Sequence, residues 1–92
     1  MTETIAAKQI RVKGIVQGVG FLPFIYQLAR RYDLSGYVIN TSLGVEIEVQ
    51  GPEEDMQGFF DAVVKERHPL AKISSLEWAH IPLKSEKGFK IK

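Results

Sequence analysis

The sequence predicts an α+β domain in which two helices cover one face of an antiparallel sheet, and three observations lead there. Apolar residues alternate with polar ones over several short stretches, the period of strands with one buried face. Two other stretches repeat their apolar residues at helical spacing. The segments fall in the order strand, helix, strand, strand, helix, strand, with a short extra strand at the end. That is the split βαβ or ferredoxin-like plan, and right-handed crossovers place both helices on the same side.

Strand one spans about Lys8 to Val16, where Ile10, Val12 and Val16 alternate with Arg11, Lys13 and Gln17. About residues 1–7 are expected to be disordered. Past Gly18 and Gly20, the residues Phe21, Phe24, Ile25, Leu28 and Tyr32 recur at helical spacing, with Pro23 in the first turn, so helix one spans about Pro23 to Arg31. Arg30 and Arg31 suit the negative end of its dipole, and Ser35-Gly36 stops it. Tyr37 to Ile39 is a short strand closed by the turn Asn40-Thr41-Ser42-Leu43-Gly44. Val45, Ile47 and Val49 then alternate with Glu46, Glu48 and Gln50, completing a hairpin whose glutamate face is expected to be wet. Gly51-Pro52 breaks that strand. Glu53, Glu54 and Asp55 open helix two, its apolar face is Met56, Phe59, Phe60 and Val63, and Pro69 prevents its continuation. Ile73 to Ile81 forms the fourth strand, and Phe89 with Ile91 marks the last.

The 92 residues make a single domain, 1–92, large enough to bury roughly two thirds of its unfolded surface without staples. With no cysteine there are no thiolate nucleophiles, paired-cysteine metal sites or iron-sulfur clusters. Twelve Lys plus Arg against eleven Asp plus Glu give a net charge of +1, too small a field to recommend nucleic acid or an anionic membrane as partner. The N-terminus lacks the basic start and apolar run of a secretory signal, and no apolar stretch approaches the ~20 residues of a membrane span. A cytoplasmic monomer is the expectation.

The segment that invites chemistry is Val16-Gln17-Gly18-Val19-Gly20-Phe21-Leu22-Pro23, a glycine-bearing loop between a strand and a helix. Consecutive backbone N–H groups at the positive end of a helix dipole make an anion cradle. No Gly-Lys-Ser/Thr follows, and Pro23 stands where a dinucleotide fingerprint needs its third glycine, which disfavours ATP and NAD. Spacing alone leaves two readings of the glycines open, a tight turn and phosphate binding. Asn40 likewise reads either as a turn former or as an amide that holds and aims a water. His68 and His80 are isolated, with no second ligand at metal spacing, so no metal is assigned. Ser74 and Ser75 lack the setting of a hydrolase nucleophile. Phe59, Phe60 and Trp78 have core spacing rather than the pattern of a base-stacking platform.

Four stretches carry a resemblance. Val16-Gln17-Gly18-Val19-Gly20-Phe21 resembles the phosphate loop of acylphosphatases, and Gly36-Tyr37-Val38-Ile39-Asn40-Thr41, followed from Gly44 by Val45-Glu46-Ile47-Glu48-Val49-Gln50-Gly51, resembles their second motif. Phe21-Leu22-Pro23-Phe24 with Tyr26-Gln27-Leu28-Ala29-Arg30, and His68-Pro69-Leu70-Ala71-Lys72-Ile73, look like the N-terminal acylphosphatase-like domain of hydrogenase maturation carbamoyltransferases. The likeness spans almost the whole chain. It implies hydrolysis of the carboxyl-phosphate bond of an acyl phosphate, carbamoyl phosphate in the maturation setting, with no metal, cofactor or covalent intermediate. It also implies partners: in that family zinc-finger-like, nucleotide-using and carbamoyl-transfer domains follow, so the chain reads as an excised domain or a free-standing relative.

Carried over residue by residue, the resemblance makes Gln17, Gly18, Val19, Gly20, Phe21 and Leu22 the loop that binds acyl phosphate or inorganic phosphate. Val19, Gly20, Phe21 and Leu22 would supply backbone N–H groups, and Asn40 would position the attacking water. The chain departs from the family at one residue: Leu22 occupies the place of the family's arginine. A leucine cannot make the bidentate, charge-assisted contact of a guanidinium with phosphate. Arg11 and Lys13, on strand one, are cations that could substitute. The expectation is an acylphosphatase of very low activity or none; a phosphate-binding module without turnover and a purely structural domain are the alternatives.

Overall fold

The computed structural model describes residues 4–16, 18, 20–67, 71–85 and 87–92. Its elements are β1 (Ile5–Ile15), α1 (Phe21–Arg31), β2 (Ser35–Thr41), β3 (Gly44–Pro52), α2 (Glu53–Lys65), β4 (Lys72–Ile81) and β5 (Phe89–Ile91). The strands form one sheet in the order β4-β1-β3-β2-β5. This is the ferredoxin-like plan with a fifth strand added beside β2.

One face of the sheet is apolar because the period-two residues of its central strands fall together. Ile10 and Val12 of β1 lie directly across from Ile47 and Val45 of β3, and Val38 of β2 across from Ile47. These residues bury against Ile25 and Leu28 of α1 and Met56, Phe59 and Val63 of α2 in one core. α1 presents Phe21, Ile25, Leu28 and Ala29 inward. α2 starts behind Pro52, with Glu53, Glu54 and Asp55 in the first turn, where carboxylates favour the positive end of the dipole. The C-terminal ends of the helices are tied by Arg31, whose Nη1 donates to both carboxylate oxygens of Glu66, at 3.1 and 2.8 Å. That hydrogen bond, and then the charge of Glu66, raises the pKa of the Arg31 guanidinium.

The structure corrects or extends the sequence reading in five places. First, β1 to β4 form the expected antiparallel sheet and the extra strand makes it mixed, because β5 pairs parallel with β2, Gly36 to Phe89 and Val38 to Ile91. The chain leaves β4 at one edge and reaches the other edge across the helix-free face, where Gln50 fastens it: Nε2 donates to the Lys84 carbonyl at 2.8 Å, and the Lys84 N–H donates to Oε1 at 2.7 Å. Second, and for the same reason, Glu48 is buried rather than wet; it lies beneath this crossing, paired with Lys84 Nζ. Third, residues 5–7 are not disordered, since Ile5, Ala6 and Ala7 pair with Pro52, Gly51 and Gln50. Fourth, β2 is longer than Tyr37 to Ile39, because Ser35, Gly36, Asn40 and Thr41 also join the β3 ladder.

Fifth, Trp78 is not a core residue. It is 49% exposed on the edge strand β4, with Lys8 Nζ 4.3 Å from its ring centroid. Phe59, by contrast, is fully buried, and Phe60 lies between, packed against the core and Trp78.

Candidate functional site

The loop of interest joins the end of β1 to the start of α1. Gln17 and Val19 lie outside the described residues; Gly18, Gly20, Phe21 and Leu22 lie within them. Gly18 and Gly20 both have positive φ, 76° and 71°, a region other residues enter only at a cost. A Cβ at either position would meet nothing within 4 Å, so these glycines are there for backbone conformation and not for close packing. Gly20 is the N-cap of α1 and brings no side-chain cap, and the first turn holds no acidic residue. The Phe24 N–H donates to the Gly20 carbonyl at 3.1 Å, closing that turn, and Pro23 has no N–H. Phe21 and Leu22 therefore occupy first-turn positions, where backbone N–H groups lack helical partners and the dipole is positive.

Asn40 is on β2, and its partner across the ladder is Val45 of β3. Val45 is also the partner of Val12 on β1. β1 and β2 thus run parallel on either side of β3, and Asn40 stands two strands, about 10 Å, from the segment of β1 that leads into the loop. Directly paired residues share a face, so the Asn40 side chain is on the helix-bearing side with Val12 and Val45. Asn40 is exposed and has no side-chain hydrogen bond among the described residues. The hairpin beyond it is pinned by Thr41: the Leu43 N–H donates to Thr41 Oγ1 at 3.2 Å, and that hydroxyl donates to the Gly44 carbonyl at 3.3 Å.

Leu22 is half-buried and packs against the hydrophobic core, an apolar contact at the mouth of the loop. Arg11 and Lys13 do not turn toward the loop. Arg11 lies across from Glu46 and Glu77, on the face opposite the helices, and Lys13 follows it with the same parity. Both line a surface cavity of about 250 Å³ with Thr41, Ser42, Glu46 and Glu77. Sequence reasoning gave no sign of this cavity, which depends on the register of three strands.

His68 lies outside the described residues. His80 is exposed on β4, edge-on to Trp78 and 3.7 Å from a Glu53 carboxylate oxygen. Among the described residues no three His, Cys, Asp or Glu side chains converge as a metal site, and no helix is long and apolar enough to cross a membrane.

Against known proteins, the acylphosphatase family model matches residues 8–91. The probable carbamoyltransferase HypF of Methanocaldococcus jannaschii is 45% identical over 69 residues, covering 75% of this chain and 9% of that protein. Full-length HypF, solved in its phosphate- and nucleotide-bound form, superposes with a TM-score of 0.95 at 39% identity, covering 100% of this chain and 12% of that one. The acylphosphatase of Bacillus subtilis superposes with a TM-score of 0.88 at 35% identity, covering 97% of this chain and 99% of that one. The chain spans about a tenth of the carbamoyltransferases it matches and nearly all of a free-standing acylphosphatase.

Proposed function

The chain belongs to the acylphosphatase family, and from that premise we propose that it holds the phosphoryl group of an acyl phosphate, carbamoyl phosphate in a hydrogenase-maturation setting, with hydrolysis kept very low or absent by Leu22. The observation that carries this reading is the uncapped start of α1. Gly20 turns the backbone through a left-handed conformation into a first turn with no side-chain cap and no carboxylate. An anion there receives N–H donors and the positive end of the dipole.

In the reaction, a water oxygen attacks phosphorus while the bond from phosphorus to the acyl oxygen breaks. The electron pair leaves with the carboxylate, and the water's protons pass to the phosphate and to solvent. A carboxylate leaves as a weak base, its conjugate acid having a pKa of about 4, so no general acid is required. What remains is positioning and charge stabilisation. Gln17 to Leu22 hold the phosphoryl oxygens through the backbone, and Asn40 orients the water through its amide. What residue 22 does not supply is a cation. Leu22 supplies only its N–H, its side chain lies on the core, and Arg11 and Lys13 face away.

Losing one preorganised charge-stabilising group costs about 10²- to 10³-fold in rate. Leu22→Arg is therefore expected to raise hydrolysis of an acyl phosphate and of carbamoyl phosphate by at least about that factor over the unsubstituted chain, with spontaneous decay subtracted. Equal activity in the two chains would show that another cation holds the phosphate.

A second reading, a phosphate-binding module without turnover, is favoured by the packing of Leu22 on the core. Saturable binding of inorganic phosphate, read by amide chemical shifts of the loop, with both chains inert would select it. No binding by either chain would leave a structural domain. In the larger relatives' setting, the proposed partners are the remaining domains of a carbamoyltransferase.

A further inference from the structure

We propose that Gly44 is a positioning residue for this site: its missing side chain sets how closely the Asn40 hairpin approaches the strand that launches the phosphate loop. The inference rests on the functional reading above, but its geometric part stands apart from it.

Gly44 is the first residue of β3 and pairs with Thr41 of β2, one step from the Asn40–Val45 pair. Its φ is 144°, a backbone conformation that side-chain-bearing residues rarely adopt. A Cβ at this position would stand far inside contact distance of the Val12 carbonyl oxygen on β1. Val12 lies four residues before Val16, where the strand runs into the loop. The absent methyl is therefore what lets β3 close on β1 at the level where Asn40 and the loop must be brought together. The Thr41 hydroxyl holds the other side of the same turn, through Leu43 and Gly44.

Any side chain at residue 44 must push the hairpin tip off β1 by roughly 1 Å, and misplacement on that scale can lower a rate by about 10²-fold. The phosphate would still be held, since its contacts come from the loop. The water on Asn40 would be misplaced. The signature is loss of kcat with little change in KM.

Gly36 gives a matched control. It also lies in the β2–β3 ladder, has φ 139°, and would place a Cβ against the Glu48 carbonyl oxygen. It pairs with Val49, at the opposite end of the hairpin from Asn40. Steric strain is similar at the two glycines, but Gly36 lies beside β5 and away from the site, whereas Gly44 lies against β1 next to it.

The experiment places Gly44→Ala and Gly36→Ala in the Leu22→Arg chain. Gly44→Ala is expected to lower kcat on acyl phosphate by about 10- to 100-fold with KM changed less than about threefold. Gly36→Ala is expected to lower Tm comparably and leave both constants near their starting values. Equal kinetic effects of the two variants, or a Gly44→Ala effect confined to KM, would overturn the proposal. Should Gly44→Ala not fold, Thr41→Val loosens the same turn without a clash and must give the same kcat-selective loss, smaller in size; unchanged kcat would overturn the proposal. If the Leu22→Arg chain is itself inert, the catalytic reading fails, and NMR decides the geometry alone. Gly44→Ala must then move the Asn40 side-chain amide and the N–H resonances of Gly20 and Phe21, while Gly36→Ala leaves them in place. Resonances that respond alike to both variants would sink the positioning role.

Discussion

Asn40 carries the plainest separation between stability and chemistry in the molecule. Its side chain is exposed and has no hydrogen bond among the described residues, so it adds little to folding. Truncating such a side chain changes stability by no more than about 0.5 kcal/mol. If it aims the attacking water, it acts on the rate instead, at about 10²- to 10³-fold for a lost preorganised group. Asn40→Ala in the Leu22→Arg chain is therefore expected to lower kcat by about that factor while Tm and the affinity for inorganic phosphate stay close to their starting values. A parallel drop in Tm would mean that Asn40 is a turn former first. Asn40 and Leu22 both lie in stretches that stand out in the sequence by their motifs. That Arg11 and Lys13 face away from the core also follows from their alternation with Ile10 and Val12; their place beside Glu46 and Glu77 does not, because it depends on how three strands pair.

At the scale of elements, α1 begins where Gly20 permits it to. Gly20→Ala creates no clash, since nothing lies within 4 Å of the added Cβ, so its cost is the backbone penalty of a left-handed residue, about 1–2 kcal/mol. Urea unfolding should show that loss, and phosphate binding should weaken with it, because the variant relieves strain by turning the same N–H groups away. A stability loss with unchanged binding would remove Gly20 from the cradle. Most elements could be placed from the sequence because burial on one face writes a period into it, as in Ile10 and Val12 or Val45, Ile47 and Val49. The ends were harder to place. Ser35 and Gly36 carry no apolar period, yet they extend β2 through backbone pairing with Gln50 and Val49. Ile5 to Ala7 likewise enter the sheet only because residues 50–52 of β3 run far enough to meet them. Gly44 reads in sequence as an ordinary turn glycine, and its contact with Val12 appears only once three strands are in register.

At the scale of the whole molecule, the sheet is closed off by a segment that crosses its helix-free face between β4 and β5. Parallel pairing of a three-residue strand is too little to hold such a crossing, so side chains of β3 fasten it. Gln50 grips the Lys84 backbone at two atoms, and buried Glu48 takes the Lys84 ammonium. The two fastenings can be tested apart. Lys84→Ala keeps the backbone atoms that Gln50 holds and strips the cation from a buried carboxylate, which costs about 1–3 kcal/mol for an acceptor left without its partner. Adding Glu48→Gln should recover much of that loss, since a neutral amide is cheaper to bury than an unpaired charge. Gln50→Ala removes both backbone contacts and should also release β5, exposing Phe89, which is 7% exposed in the folded chain. All of this lies at the Ser35–Gln50 end of the β2–β3 ladder, away from the Asn40–Val45 end. The Lys84→Ala chain should therefore unfold at lower urea and still bind inorganic phosphate with its affinity intact. A change in that affinity would mean that the crossing segment and the loop are coupled through β3.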